Sequence, residues 1–328
     1  MKKILLTATL FCSTILCLAS TFEAATSGSS AQSGSSTPLV ISQYIGIFND
    51  GTTDNFHAAL AKKPPFNEWD ITDIAFVHTY LENGYYVADY ENARGGQPIS
   101  GSDTDSNRIS QLLLCATDTN PATNPNNYSQ ANINMKFLIS LGWGNNDFSN
   151  GAKNPDQFAA SVCKIIQDND LDGFDIDYED DSSMTPQSFV AVSKALREHL
   201  DALGATMDKT GKKLYLTITP ATTSGLDMNA INQYYDFVQI QSYDALNDSG
   251  CSPNSFSSVN PSKILIGRDY ENGDTMTDTR YGMGNIMTYI ANNNFRGIMG
   301  WRVNAGNQLN NSPKFSGPTM MYNAVNYQ

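Results

Sequence analysis

The sequence predicts a single (β/α)8 barrel preceded by an export signal. Eight apolar runs rich in β-forming residues alternate with helical patterns, which is typical of βα units that close around a parallel sheet. The length of 328 residues suits one such barrel of roughly 250 residues plus a leader. A doubly wound open sheet is the alternative fold, but the chain lacks the Gly-rich phosphate loop that accompanies it.

The eight strands can be placed by their apolar and β-branched residues. They are predicted over residues 39–48, 73–81, 135–143, 172–179, 213–220, 236–243, 263–268 and 296–303. Helical patterns are clearest over 154–167, 184–204 and 277–293. Because the segment after the seventh strand is short, we expect a barrel without a sizeable α+β insertion.

The connection after the second strand is long. It runs from about Glu82 to Asp105 and contains Tyr85, Tyr86 and Tyr90. Long loops at the catalytic face of a barrel often shape the cleft, so these tyrosines either line it or pack locally.

Residues 1–19 have the features of a secretory signal peptide. A positive start at Lys2 and Lys3 is followed by an apolar stretch and then by small residues. A membrane anchor is the alternative, but the stretch is short for a spanning helix, which needs roughly 20 apolar residues. We therefore expect a secreted protein with no membrane attachment after processing.

The mature chain is predicted to be a Ser/Gly-rich linker followed by one folded domain. The linker spans residues 20–37, with the low-complexity run ATSGSSAQSGSST at its end, and the barrel spans 38–328. Loss of Lys2 and Lys3 from the 20 basic residues leaves 18 against 33 acidic ones, a formal charge of −15. This charge argues against nucleic acid and anionic membranes as partners. We expect a monomer.

Three cysteines remain after processing, namely Cys115, Cys163 and Cys251. An odd number leaves at least one unpaired within the chain. Cys115 and Cys163 either form a disulfide between successive outer helices or are buried free thiols. Because no Cys or His lies at ligand spacing, we expect no metal and no cofactor.

An acidic run, Asp172–Glu179, lies at the end of the fourth predicted strand and reads DGFDIDYE. Side chains alternate along a strand, so Asp175, Asp177 and Glu179 share one wall. Like charges so close together raise at least one pKa, and this cost usually marks a working site.

Two other interpretations of the acidic run are available. The first is a solvated loop, which the interleaved apolar residues argue against. The second is a calcium-binding loop, because Asp168, Asp170, Asp172, Gly173 and Glu179 match the pattern D-x-[DN]-x-[DN]-G-x5-E. That loop needs a helix to leave it near its final Glu, whereas the chain continues as DDSSMTP.

The same eight residues resemble the active-site signature DGxDxDxE of family 18 glycoside hydrolases, which include chitinases and endo-β-N-acetylglucosaminidases. Every fixed position of the signature is present. The resemblance implies the (β/α)8 barrel that was predicted above from the strand pattern. It also implies an enzyme that acts on a polysaccharide or glycan containing N-acetylglucosamine.

Other strand ends extend the resemblance over most of the folded chain. The third strand ends in Ser140-Leu141-Gly142-Trp143, close to the family's SxGG pattern except that Trp143 replaces the second glycine. The sixth has Gln239, Gln241 and Tyr243 on one face, and its segment Gln241–Asp244 resembles the family segment that holds the substrate's acetamido group. Trp301 on the eighth strand matches the family tryptophan beneath the sugar at the cleavage point.

The resemblance implies a role for each of these residues in substrate-assisted, retaining hydrolysis. The substrate's own acetamido oxygen is the nucleophile, and Glu179 is the general acid and then the base. Asp177 orients the acetamido group, Asp175 shares a proton with Asp177, and Tyr243 donates a hydrogen bond to the acetamido group. The expected substrate-binding residues are Trp301, Asp244, Gln241, Tyr44, Ser140 and Gly142.

The chemistry requires a 2-acetamido sugar beside the cleaved bond, and we expect an endo-acting chitinase. An endo-β-N-acetylglucosaminidase that cuts the chitobiose core of N-glycans is the alternative within the class. A chitin-binding lectin with weak catalysis is the alternative from another class, although the presence of Glu179 favours an enzyme.

Overall fold

The computed structural model describes residues 38–90, 103–143, 146–179, 182–207, 211–243, 251–269, 271 and 282–327. The predicted signal peptide and linker lie outside these residues and stay predictions. Among the helices described here, none is long and apolar enough to cross a membrane.

All eight predicted strands form, and seven of them lie within about two residues of their expected ends. The described strands are β1 Val40–Gly46, β2 Ile71–Glu82, β3 Tyr85–Tyr90, β4 Lys136–Leu141, β5 Gly173–Tyr178, β6 Tyr215–Pro220, β7 Phe237–Ile240, β8 Ile264–Asp269 and β9 Gly297–Trp301. The exception is β7, which ends at Ile240, three residues before the predicted end.

The described helices lie outside the sheet; most of them lie between successive strands, and two follow the last strand. They are α1 Asn55–Ala61, α2 Asp105–Thr117, α3 Asp147–Gly151, α4 Pro155–Asp168, α5 Pro186–Met207, α6 Met228–Tyr234, α7 Met283–Asn293, α8 Gly306–Asn310 and α9 Ser316–Asn326. Single 3₁₀ turns occur at Phe66–Glu68, Tyr128–Gln130, Pro253–Phe256 and Pro261–Lys263.

Short polar residues begin several of these helices. The Asp54 carboxylate accepts a hydrogen bond from the backbone N–H of His57 at the start of α1. At the start of α6, the Asp227 carboxylate accepts one from the backbone N–H of Ala230. Such caps satisfy backbone donors that the first helical turn leaves unpaired.

The sheet is a closed barrel of eight parallel strands. β1 pairs with both β2 and β9, and the order around the ring is β1, β2, β4, β5, β6, β7, β8 and β9. The larger hydrophobic core lies between the ring and the helices, and a smaller one, which includes Tyr44, Leu138 and Met299, fills the interior. The carboxyl ends of all eight strands therefore open at one rim, where barrel enzymes place their active sites.

The long connection after the second predicted strand contains a further strand, β3, which was not among the eight predicted strands. β3 pairs antiparallel with β2, and the turn between the two strands consists of Asn83 and Gly84, both of which have positive φ. An Asn-Gly pair between alternating apolar residues is a strong hairpin signal. Tyr90 accepts a hydrogen bond from Asn169 at 2.8 Å, and Lys153 lies over the ring of Tyr86, so both tyrosines pack locally.

The three cysteines described are free thiols. Cys115 and Cys163 are half-buried on α2 and α4, and burial raises the pKa of each to about 11. Burial raises the pKa of Cys251 to about 12. Of the two alternatives left open by the sequence, the structure has free thiols rather than a disulfide.

Gly173 at the start of β5 tests how tightly the ring is packed. A Cβ there would lie 2.2 Å from the backbone oxygen of Tyr215 on β6, so Gly173→Ala forces the two strands apart. We expect a loss of about 1–3 kcal/mol in the free energy of unfolding, measured with urea. The control is Gly284→Ala in the first turn of α7, where nothing lies within 4 Å of the added Cβ, so alanine should cause no loss of stability. Equal stability of Gly173→Ala and the wild type would contradict the close strand contact.

Candidate active site

β5 carries the acidic residues on the inner face of the barrel. Asp175 is fully buried, Asp177 and Glu179 are partly buried, and the alternating residues Phe174 and Ile176 pack into the outer core. The predicted alternation is therefore present. It places the three carboxyls at increasing height from the barrel interior towards its carboxyl rim.

Asp175 is held by donors from four other strands of the barrel, β1, β4, β6 and β7. The strand register pairs it with Ser140 on β4 and with Thr217 on β6, which sets one hydroxyl on each side. Oδ2 accepts from Tyr44 at 2.5 Å and Ser140 at 2.7 Å, and Oδ1 accepts from Thr217 at 2.5 Å, Thr219 at 3.1 Å and Gln239 at 3.3 Å. Both oxygens of this carboxylate are satisfied, and its orientation is fixed.

Asp177 has fewer donors and a more crowded position. Its Oδ1 accepts from Gln241 Nε2 at 2.6 Å, and its carboxylate also accepts from the backbone N–H of Trp143. Burial raises the pKa of Asp177 well above its usual range, and the charges of Glu179 and Asp175 raise it further. Asp177 therefore favours its protonated form more than an exposed aspartate does.

Glu179 follows the last residue of β5 and is only partly buried. Burial raises its pKa, an effect that the hydrogen bond from Gln241 partly offsets. The Gln241 amide lies 3.5 Å from Glu179 and also contacts Asp177, so one side chain joins the two upper carboxyls. A carboxyl with a raised pKa and an open side is suited to donate a proton to a bound molecule.

The carboxyl end of β4 keeps the close backbone approach expected of the SxGG pattern, although Trp143 replaces the second glycine. A Cβ at Gly142 would lie 2.4 Å from the Cβ of Asp177, so the close backbone approach occurs at this glycine. Trp143 adopts a left-handed backbone with φ of 67°, which glycine tolerates better. Its side chain is 66% exposed, and it lies in the cleft described next.

An aromatic cleft of about 500 Å³ opens at this rim. Its aromatic walls are Phe48, Phe76, Trp143 and Trp301, and its other lining residues are Asn49, Asp50, Gly51, His78, Glu271 and Arg302. Trp301 packs edge-to-face against Tyr44 with ring centroids 5.4 Å apart and stacks on Phe76 at 5.8 Å. The indole is thereby fixed beside the residues that hold Asp175.

Arg302 stabilises one wall of the cleft. Its guanidinium donates to Glu271 at 2.8 and 2.9 Å and to Asp50 at 2.8 and 2.9 Å, and it lies over the rings of Phe48 and Trp301. The pair with Glu271 is bidentate, through Nε and Nη2, and a bidentate pair of a buried arginine fixes geometry more strongly than an exposed pair does. This cluster has no signal in the sequence, because its members are far apart in the chain.

Tyr243 and Asp244 were both predicted to be site residues. Tyr243 packs against the inner apolar cluster, and burial raises its pKa well above the ordinary value, with further increases from Asp177, Asp269, Glu179 and Asp175. Asp244 lies outside the described residues. The structure thus brings together Tyr44, Ser140, Gly142, Gln241 and Trp301 around the three acids, with Tyr243 near them.

Several residues around the acids were missed or not singled out as site residues. Thr217, Thr219 and Gln239 donate to Asp175, and buried Asp73 accepts from Gln239 at 2.9 Å. The available signal was the alternation of the inner face along each predicted strand. Polar residues at these positions would be costly inside a barrel unless they were hydrogen-bonded to one another.

The calcium-loop interpretation is wrong. Asp168 ends α4, Gly173 begins β5, and the strand runs through the segment that the loop would occupy. Asp172 accepts a hydrogen bond from the backbone N–H of Phe137 at 3.0 Å. Within the described part of the chain, no group of three His, Cys, Asp or Glu residues is arranged to hold a metal ion.

The raised pKa of Asp177 has a consequence for stability. A carboxyl whose pKa rises on folding stabilises the protein below its ordinary value of 3.8, and this contribution is lost as the pH rises through the folded-state pKa. Asp177→Asn is neutral at every pH, so it should melt a few degrees above the wild type at pH 8 and close to it at pH 4. Thermal melts at both pH values measure this difference.

The control for this variant is Asp156→Asn, an exposed carboxyl on α4. It should bring no gain at pH 8. A wild type that is at least as stable as Asp177→Asn at pH 8 would show that burial does not penalise the charged form of Asp177.

Comparisons with known proteins bear on the family of the chain and on its fold. "Endochitinase 1" of Metarhizium anisopliae is 32% identical over 127 residues, which cover 35% of this chain and 29% of that relative. The solved Group IV chitinase of Ostrinia furnacalis has 15% identity and a TM-score of 0.61, covering 88% of this chain and 99% of that one. The solved structure of a family 18 N-acetylglucosaminidase from Paenibacillus barengoltzii is also 15% identical and has a TM-score of 0.56. The match covers 87% of this chain and 99% of that one.

These structural similarities show the barrel fold. The family model for glycosyl hydrolases family 18 matches residues 70–262, which is more than half of the chain and includes the acidic strand β5. The chain therefore belongs to glycosyl hydrolase family 18 and is a glycoside hydrolase.

Proposed function

We propose that this chain is a secreted, endo-acting chitinase that cleaves β-1,4 linkages next to N-acetylglucosamine in chitin or chito-oligosaccharides. The observation that carries the proposal is the line of three carboxyls on β5, which rises to the same rim as the aromatic cleft. Trp143 lines that cleft, and its backbone N–H donates to Asp177. The similarity to the Metarhizium endochitinase supports it, although the match covers only 29% of that relative.

In the proposed mechanism Glu179 is the general acid. Its raised pKa keeps a proton available above the ordinary value of 4.5, and its partly open position lets it face the glycosidic oxygen. After the leaving group has departed, the same carboxylate takes a proton from the incoming water. One residue thus serves both halves of the reaction.

The nucleophile in this mechanism belongs to the substrate. The carbonyl oxygen of the 2-acetamido group attacks the anomeric carbon and gives an oxazolinium intermediate, with retention of configuration. The attack gains from proximity because the oxygen is already tethered to the ring. Asp177 lies next to Glu179 and is assigned to orient the acetamido N–H, while Tyr243 is assigned to donate a hydrogen bond to the acetamido group.

Asp175 has a supporting role in this proposal. Its donors hold it in place beneath Asp177, where it can share a proton with that residue and adjust the charge of the set. Coupled carboxyls titrate together, so the pH profile of the enzyme belongs to the set and not to one residue.

The cleft favours a sugar polymer as the ligand. Trp301 offers an apolar face of the kind that stacks on the C–H face of a pyranose, and exposed Trp143 offers a second one. Tyr44 and Ser140 act indirectly, through the hydrogen bonds that they donate to Asp175. Gln241 contacts both upper carboxyls, and Gly142 leaves the room that Asp177 needs.

Hydrolysis of two substrates tests the proposal. The purified mature chain is incubated with a chito-oligosaccharide and with a high-mannose glycoprotein, and the products are read by mass spectrometry. Release of chitobiose or chitotriose is expected. Release of intact glycans would contradict the chitinase and favour an endo-β-N-acetylglucosaminidase, and binding without hydrolysis of either substrate would favour a lectin.

Removal of the acid tests the assignment of Glu179. Glu179→Gln keeps the size of the side chain but cannot deliver a proton, so we expect kcat to fall by roughly 10²–10⁴-fold. Binding of a chito-oligosaccharide, measured by calorimetry, should survive.

Glu198→Gln is the matched control, because Glu198 is exposed on α5 outside the barrel. It should keep wild-type kcat. Wild-type turnover by Glu179→Gln would show that another group supplies the proton.

A further inference from the structure

A fourth carboxyl lies in the barrel interior with Asp175. Asp73 on β2 is completely buried, and its register partners are Tyr44 on β1 and Leu138 on β4. Gln239 Nε2 joins the two acids, because it donates to Asp73 Oδ2 at 2.9 Å and lies 3.3 Å from Asp175 Oδ1. An amide nitrogen carries two hydrogens, so one can point towards each carboxyl.

The two oxygens of Asp73 have different surroundings. Oδ2 accepts from Ser42 at 2.6 Å and from Gln239 at 2.9 Å, whereas Oδ1 is buried without a hydrogen-bond partner among the described residues. A neutral carboxylic acid suits this asymmetry better than a carboxylate does, because a buried oxygen without a partner costs less when the group carries no charge. In an ionised Asp73, Oδ1 would be a charged acceptor with no donor.

The charges around Asp73 favour the neutral form as well. The titratable groups that face it are Asp175 on β5 and Tyr44 on β1, and no Lys, Arg or His in the described part of the chain pairs with it. Burial and the charge of Asp175 raise the pKa of Asp73 well above its usual range. The nearby strands β4, β8 and β9 contribute uncharged Leu138, Leu265 and Met299 to the interior.

We propose that Asp73 is a positioning residue, a buried neutral carboxylic acid that turns the Gln239 amide towards Asp175 without adding a second negative charge beside it. The role rests on the proposed function, because Asp175 is the lowest member of the set that carries the reaction. Asp73 touches no substrate in this proposal and acts through Gln239 alone.

Infrared difference spectroscopy tests the protonation state without any substrate. The spectrum of the wild type minus that of Asp73→Asn, taken at pH 7 in heavy water, should show the C=O band of a protonated carboxyl. A carboxylate band in its place would overturn the proposal. Because this measurement needs no turnover, it decides the state of Asp73 even if chitin is not the substrate.

Kinetics test the positioning role on whichever glycan the wild type hydrolyses. Asp73→Leu removes the acceptor and frees Gln239, so kcat should fall about tenfold or more while KM changes by less than about twofold. Asp73→Asn restores a neutral acceptor of the same shape and should recover most of the loss. Its pH profile should coincide with that of the wild type, since neither side chain is charged.

Thr72→Val is the matched control. Thr72 is equally buried on the same strand but faces outwards, where it contacts Trp69 and Met135, so this variant loses hydrogen bonds without touching the interior. It should keep wild-type kcat. Full activity of Asp73→Leu would overturn the positioning role.

If Asp73→Leu does not fold, the pH profile of Asp73→Asn decides whether Asp73 is neutral in the wild type. A shift of both limbs towards acid pH by more than about half a unit would mean that a charge had been removed, and it would overturn the neutral acid.

Discussion

The structure depends on the anchoring of one buried carboxylate, Asp175. A charged group inside a barrel is costly unless donors replace the water that it loses. Here the donors come from β1, β4, β6 and β7, so the same hydrogen bonds that satisfy Asp175 also tie four strands of the ring together. The buried carboxyl is tolerated because the fold closes its donors around it.

The three acids on β5 share one strand face but have different surroundings. Asp175 is enclosed by donors, Asp177 is crowded between the backbone of β4 and its acidic neighbours, and Glu179 lies where the strand ends and one side is open. Environment, and not residue type, therefore separates an anchored carboxyl from a group suited to hold and release a proton. A short alternating segment can thus provide groups of different acidity.

The cleft depends on the same construction. Trp301 is held against Tyr44, which also contacts Asp175, while Arg302 fixes the wall next to it through Glu271 and Asp50. The exposed ring of Trp143 belongs to the residue whose backbone N–H contacts Asp177. The surface offered to a sugar and the groups assigned to the chemistry are thus physically joined, which limits how far either can move alone.

The sequence by itself determined the barrel, its eight strands and the shared face of Asp175, Asp177 and Glu179, because hydrophobic alternation is a local property. β3 was not predicted, although Asn83-Gly84 is a hairpin signal. The link from Asp73 through Gln239 to Asp175 was not predicted either. Only the tertiary structure decided that link and the ion pairs of Arg302, because both join residues far apart in sequence that meet only when the ring closes. Local patterns specify which face a side chain occupies, whereas strand register and closure specify which side chains meet there.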